Sequence, residues 1–435
     1  MTRSPLTSPC GRITYRAEDR ARHVIDRAMD MPAAVMSEIY TQFDASQIMA
    51  AAQALDQDAV RRSGALAGLM VSVKDLFDEA GQVTAAGSQV LRKAAPAKSD
   101  AVAVARLKVA GMVPCGRTAM SEFAYSGVGL NPHTGNPGNA RDATRISGGS
   151  TSGGALTVAL GLADVALGTD TGGSVRIPAA LNGLAGFKPT QAAVPLDGAF
   201  PLSQSFDSIG PLALRIATCA AVHAVLSGTS APAATTGPLK FAVLQGPLMQ
   251  GLDARVATDF EAALAALRAD GHEVSEVALP ELDGFGDANR IIVATEAHDI
   301  HAHHLADLRT KGDPRVLRRI MAAESFAPTD YADKLAQRAR AIAAFESLAQ
   351  DYDALIVPTL PTIAPLIAEV EADFDRLNAL MLRNPSAVNF LDGCAATVPM
   401  QQAQRLATGL MIFAPAGHDW QVLDAAERIE ALLQS

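Results

Sequence analysis

Cysteine, lysine and tryptophan are all scarce in this chain, and each shortage narrows what it can be. The four cysteines, Cys10, Cys115, Cys219 and Cys394, lie far apart and form no C-x-x-C pair. That spacing fits a reducing compartment and offers no structural zinc site. Cys115 by itself reads as a nucleophile or as a buried strand-end thiol. No run of about 18 apolar residues occurs, so no membrane-spanning helix is expected. The opening stretch, MTRSPLTSPCGR, lacks the apolar core of a secretory signal and reads as frayed chain, with a cytoplasmic location. A net charge of −10 argues against a nucleic-acid partner. Familiar catalytic strings are missing as well. There is no G-x-x-x-x-G-K-[ST], no G-x-S-x-G, no S-x-x-K and no H-E-x-x-H.

What the chain does have is a concentration of glycine and serine. Residues 145–178 read RISGGSTSGGALTVALGLADVALGTDTGGSVRIP. Residues 152–160 are small or aliphatic helix formers, and Gly161 is placed to stop that helix. Residues 164–168 then read as a short buried strand. About ten helical residues advance roughly 15 Å and about five strand residues return roughly 16 Å. The turn before the helix and the turn after the strand should therefore meet at one edge of the fold. Ser150 would sit at the helix N-terminus, and Ser174 ends a second glycine turn, Thr171-Gly172-Gly173, whose backbone N–H groups can point at an oxygen. A linker is too polar a reading for residues 155–167. Helix capping accounts for Ser150 and leaves the second Gly-Gly-Ser unexplained. A nucleophile beside an anion hole accounts for both.

A serine nucleophile needs a base. Residues 69–73 (LMVSV) read as a strand that delivers Lys74 and Asp75 at its carboxyl end, where open α/β sheets place their sites. Lysine occurs 8 times against 28 arginines, so one at the tip of an apolar strand stands out. Alone it reads as a snorkelling lysine at a sheet margin; beside the two serines it reads as a base.

These residues resemble the amidase signature hydrolases. The match rests on Val73-Lys74-Asp75, on Gly148-Gly149-Ser150, on Gly168-Thr-Asp-Thr-Gly-Gly-Ser174-Val-Arg176-Ile-Pro178 and on the Ser150 to Ser174 spacing. It extends through Gly186-Phe-Lys-Pro-Thr190 and Asp207-Ser-Ile-Gly-Pro211, with weaker echoes at Asn389-Phe390, Val398-Pro399 and Thr408-Gly409-Leu410. The resemblance implies an α/β fold with a large mixed central β-sheet sandwiched by helices. It implies a triad in which Ser174 attacks the carbonyl, Ser150, after a non-proline cis peptide, relays the proton, and neutral Lys74 is the base. Thr171, Gly172, Gly173 and Ser174 would hold the oxyanion through their N–H groups, with Asp170 and Arg176 bracing the turn. Gly149 and Tyr125 would line the substrate, Tyr125 reading equally well as a packed aromatic. Neither cofactor nor metal is implied.

The expected reaction is hydrolysis of small amides through an acyl-enzyme, extending to esters and carbamates such as urethanes. The alternative is the catalytic subunit of a multi-protein amidotransferase or carbamoyl-compound pathway that needs a partner. A monomer or homodimer is expected. Residues 1–63 read as a helical N-terminal segment, 64–215 as the signature core and 216–435 as an α/β continuation of the same catalytic domain. Helices are expected over 18–30, 44–62, 100–110, 254–269 and 421–433, the second capped near Asp44 or Ser46 and the third by Ser99. Strands are expected over 112–115, 240–244, 273–277 and 352–357, with 390–398 and 409–413 as further sheet or pocket pieces. Glu296, His298, His301, His303 and His304 read as a polar helix face near the cleft or as a metal cluster. Residues 318–331, with their proline and phenylalanine, read as a mobile cover that excludes water.

Overall fold

The computed structural model describes residues 16–233, 236–400 and 405–434. The expectation for the first twelve residues, Cys10 included, lies outside them. Among the described residues thirteen strands form in chain order: β1 (Tyr40–Gln42), β2 (Met70–Lys74), β3 (Val113–Thr118), β4 (Gly138–Asn139), β5 (Asp142–Ile146), β6 (Val165–Thr169), β7 (Ala185–Lys188), β8 (Ile209–Ala213), β9 (Lys240–Gln245), β10 (Glu273–Ala278), β11 (Ala354–Pro358), β12 (Cys394–Pro399) and β13 (Gly409–Ala414). Eleven of them make one sheet in the order β1-β3-β2-β6-β8-β7-β12-β13-β11-β9-β10. Pairing is parallel in the groups β3-β2-β6 and β11-β9-β10 and antiparallel across the middle. Segments from before residue 64 and from beyond residue 216 thus share a sheet with the glycine-serine core.

The central strands are apolar on both faces, as strands covered on both sides must be. Successive side chains alternate between faces, and the packing follows that parity. Val165, Leu167, Val243, Ile356 and Ile412 join a cluster with Val104, Cys219, Leu226, Phe260 and Ile429. Their neighbours Ala242, Leu244, Leu355, Val357, Met411 and Phe413 join another, with Phe285, Ile292, Phe345 and Val388. Helices Val102–Val109, Ile216–Ser227, Ala254–Ala269 and Asp419–Gln434 therefore cover one face. Helices Phe285–His301, Asp330–Ala349 and Phe374–Phe390 cover the other. This is a mixed α/β sandwich with a helical layer on each side of the sheet.

Three boundaries differ from expectation. The helix over 44–62 breaks at Asp58, which adopts an extended backbone and accepts the N–H groups of Val60 and Arg61 at 3.0 Å each, capping a second short helix. The helix over 100–110 starts at Val102 with Ala101 as its N-cap; Asp100 instead accepts Ala80 N–H and Lys108 Nζ, both at 2.9 Å. Phe390 ends a helix rather than opening a strand, and β12 begins at Cys394 after a turn.

Candidate active site

β2 and β6 are parallel neighbours with Val73 opposite Leu167, so their carboxyl ends reach the same edge of the sheet. Lys74 closes β2, and Thr169 and Asp170 follow at the end of β6. Lys74 Nζ donates to Ser150 Oγ at 2.7 Å and to Thr169 Oγ1 at 3.0 Å, and the lysine is fully buried. Burial pushes its pKa from 10.5 down to about 7; the nearby carboxylates of Asp170 and Asp207 pull against that fall. Near neutral pH a substantial share of this amine is therefore unprotonated.

Ser150 precedes helix Ser152–Ala159 and follows a cis Gly149–Ser150 peptide. Glycine is required at 149: a Cβ there would lie 2.6 Å from Gly129 N and 2.9 Å from Ser121 Oγ. Gly149 N–H donates to the Gly127 carbonyl at 2.9 Å. The two glycine-serine turns meet, since Thr151 N–H donates to the Ser174 carbonyl at 3.4 Å. Ser174 is 3% exposed, and helix Arg176–Asn182 begins two residues later.

Asp170 organises the turn that carries Ser174. Its Oδ1 accepts Gly173 N–H at 2.8 Å and Arg176 Nη2 at 2.8 Å, and its Oδ2 accepts Arg176 Nε at 3.0 Å and Val175 N–H at 3.2 Å. Burial alone would push this carboxyl up; the fully buried Arg176 guanidinium outweighs it and holds the group well below the usual carboxylate range. The Gly173 N–H is thus turned to Asp170. The N–H groups of Thr171, Gly172 and Ser174 have no acceptor among the described residues. Gly173 sits at φ 122°, where a Cβ would lie 2.5 Å from Pro385 Cβ.

Three residues with no role in the sequence reading complete this framework. Thr169 accepts from Lys74, and nothing in a threonine beside the glycine motif announces it. Asp207 accepts Thr171 Oγ1 at 2.5 Å and the N–H groups of Leu202 and Ser203, and burial raises its pKa to about 6. Asn389 Oδ1 accepts Arg176 Nη2 at 2.7 Å while its amide donates to Asp170 at 3.1 Å. Asp207 and Asn389 lie in the strings Asp207-Ser-Ile-Gly-Pro and Asn389-Phe390, whose resemblance was the available signal.

Tyr125 is buried, with the Arg319 guanidinium 4.4 Å above its ring. Glu296 accepts Ser203 Oγ, Ser205 Oγ at 2.5 Å and Tyr331 Oη at 2.8 Å, fastening its helix to the loop before Asp207. Among the described residues no three histidine, cysteine or acidic side chains come together as metal ligands. Cys115 is a buried thiol donating toward the Leu162 carbonyl, with a pKa that burial pushes far up. Residues 318–331 include the end of helix Pro314–Met321 and a turn at Ala322–Ser325. Arg318 pairs with Asp375 at 2.8 Å and Arg319 lies over the Tyr125 ring, so the start of this segment packs on both.

A family model described as Amidase matches residues 23–423. The chain belongs to the amidase family. A 2-amino-5-chloromuconic acid deaminase of Comamonas testosteroni is 32% identical over 91% of this chain and 88% of its own length. A glutamyl-tRNA(Gln) amidotransferase subunit of Streptococcus pneumoniae is 30% identical over 88% of this chain and 87% of its own. A solved amidase structure superposes with a TM-score of 0.87 at 31% identity, covering 96% of both chains. This amidase-family chain is thus an enzyme acting on carbon–nitrogen bonds. No described helix is long and apolar enough to cross a membrane.

Proposed function

We propose that this chain hydrolyses small amides through an acyl-enzyme on Ser174. The observation that carries the reading is the buried Lys74 amine, 2.7 Å from Ser150 Oγ and depressed to a pKa of about 7. In this mechanism neutral Lys74 takes the Ser150 proton as Ser150 takes that of Ser174, and Ser174 Oγ attacks the carbonyl carbon. The negative charge that develops on the carbonyl oxygen meets the N–H groups of Thr171, Gly172 and Ser174, while Gly173 N–H, held by Asp170, fixes the turn. Collapse breaks the C–N bond, the proton returning through Ser150 to the departing nitrogen. Water then cleaves the acyl ester by the same relay in reverse. The attack senses the carbonyl more than the leaving group, so esters and carbamates belong to the same substrate range.

The likeness to an amidotransferase component supports a second reading, in which the same site works only with a partner. One panel tests both: the purified chain alone is offered one aryl acyl group as primary amide, anilide, ester and carbamate, beside its Ser174→Ala and Lys74→Ala variants. Turnover by the parent that is lost in both variants supports the stand-alone hydrolase. Variants as active as the parent refute it, and a folded but silent parent favours the partner-dependent reading.

A further inference from the structure

β3 is the second strand from one edge of the sheet, and β1 pairs with it only at Arg117 and Thr118. Along the rest of β3 the neighbour is helix Ala45–Gln57, whose Ile48, Ala52 and Leu55 pack with Val113 and Cys115. On the other side Val71 lies opposite Pro114 and Val73 opposite Arg117, so β3 carries one extra residue there. Such a bulge re-aims the side chain beside it. Arg117 is 2% exposed; its Nε donates to Asp75 at 3.0 Å and its Nη1 to Glu79 at 3.1 Å. Its Nη2 is buried and has no partner among the described residues. Arg117 lines a cavity of about 310 Å³ between β3 and helix Ala45–Gln57. Gln82 lines the same cavity, and its Oε1 is likewise buried and unpaired. Gln82 N–H donates to the Glu79 carbonyl at 2.9 Å, so this free acceptor belongs to the turn whose carboxylate already holds Arg117. None of Lys74, Ser150 and Ser174 lines the cavity.

Buried polar groups in folded proteins nearly always find partners. An unpaired donor and an unpaired acceptor on one cavity wall therefore mark a place for a group that carries the complementary pair. That group is neutral, because the charges of the wall are already matched. Arg117 is held by two carboxylates, Lys108 donates to Asp100 at 2.9 Å, and the remaining charges of the lining, Asp44 and Arg61, are one of each sign. An anion on Nη2 would be a third carboxylate on one guanidinium, and a cation would meet its N–H. A carboxamide fits both vacant partners: its carbonyl accepts from Arg117 Nη2 and its N–H donates to Gln82 Oε1. Ile48, Met112 and Val113, all buried, supply an apolar wall for a ring or short chain on that amide.

We propose that this cavity is a second binding site, apart from the Ser174 centre, that takes a neutral primary amide bearing a small apolar group. It rests on its own lining and not on the hydrolase reading above. Crystals of the Ser174→Ala protein soaked with 4-bromobenzamide locate the ligand by the anomalous signal of bromine. A peak should appear between β3 and helix Ala45–Gln57, and 4-bromobenzoate and 4-bromobenzylamine should leave that place empty. In solution, titration of the same protein with benzamide, followed at the backbone amide resonances of Gln82 and Gly116, reads this site apart from the one at Ser174. Ala51→Leu, which fills the cavity from the helix, should raise the Kd read there about tenfold or more. Gln82→Leu, which removes the acceptor, should raise it about threefold to tenfold. Bromine at Ser174 alone or nowhere, benzoate bound in the cavity as well as the amide, or a Kd that both variants leave unchanged overturns the proposal. So does a peak in the crystal without a saturable shift in solution, which is binding at crystal concentration only.

Discussion

Replacing Lys74 by methionine should abolish activity and yet relieve the fold of a buried amine, and the two effects share one pH dependence. The folded-state pKa is about 7 against 10.5 for a solvated lysine. Between those values the unfolded chain binds more protons than the folded one, so this residue's contribution to stability rises with pH across that window. Below pH 7 the full difference of about 3.5 pH units applies, on the order of 5 kcal/mol against folding. Raising the pH from 7 to 9 should remove about 2 kcal/mol of it. For 435 residues, with an unfolding entropy of about 2.1 cal/mol/K per residue, that corresponds to about 2 °C in Tm. Lys74→Met loses the hydrogen bonds to Ser150 and Thr169, a penalty that does not vary with pH. The variant's Tm relative to the parent should therefore fall by about 2 °C from pH 7 to pH 9 in paired calorimetric scans, every other titration being common to both proteins. The parent's kcat/KM on a neutral anilide should show an acidic limb near pH 7 and lie about 100-fold below its plateau at pH 5. A Tm difference independent of pH, with a limb below pH 5 or above pH 9, would refute a buried neutral lysine as the base.

Asp207→Asn removes one of the two carboxylates that favour the charged lysine, so the acidic limb should move to lower pH in a kcat/KM profile; a limb that rises or stays fixed would mean that Asp207 does not act on Lys74. Asp170→Asn leaves the fully buried Arg176 guanidinium without its counter-charge, which should destabilise the chain by about 3–5 kcal/mol and lower Tm by about 3–5 °C, with loss of turnover as the Ser174 turn relaxes.

Most of the sheet was legible because its strands are apolar runs bounded by glycine and proline, while edge strand β10, EVSEVA, showed itself by alternation. β9, β10, β11 and β13 lie within a residue or two of the ranges expected from the sequence. Residues 254–269 agree at both ends, since Asp253 accepts Arg255 N–H at 2.8 Å and fixes the start. Elements set by tertiary contact were not legible. Helix Phe374–Phe390 holds Pro385 inside it, against the local signal, and packs Leu382 on the glycines at 127 and 172 and Pro385 on that at 173. The Lys74 to Ser150 contact joins residues 76 apart; the need of a serine for a base, and then the resemblance, connected them beforehand. Thr169, Asp207 and Asn389 escaped because a single polar side chain in a strand end, loop or helix carries no periodic signature.

Burial links base strength to access in this site. Lys74 and Ser150 are 0% exposed and Ser174 is 3% exposed, and it is this dryness, not a neighbouring cation, that lowers the lysine. The nearest charges oppose it: Asp170 and Asp207 both favour the ammonium, and Asp170 is held ionised by Arg176. Any opening that let water reach Lys74 would restore its hydration, raise its pKa and protonate the base. Under the proposed mechanism, a substrate that fills the site in place of water would keep the amine neutral and so complete the condition for its own attack. The Asp170–Arg176 pair then has a second consequence beyond bracing the turn. With its charge already matched by a guanidinium at 2.8 Å, Asp170 exerts less pull on Lys74 than a free carboxylate would. Loss of Arg176 should loosen the turn that presents Ser174 and, by leaving Asp170 to burial alone, push that carboxyl toward its neutral form.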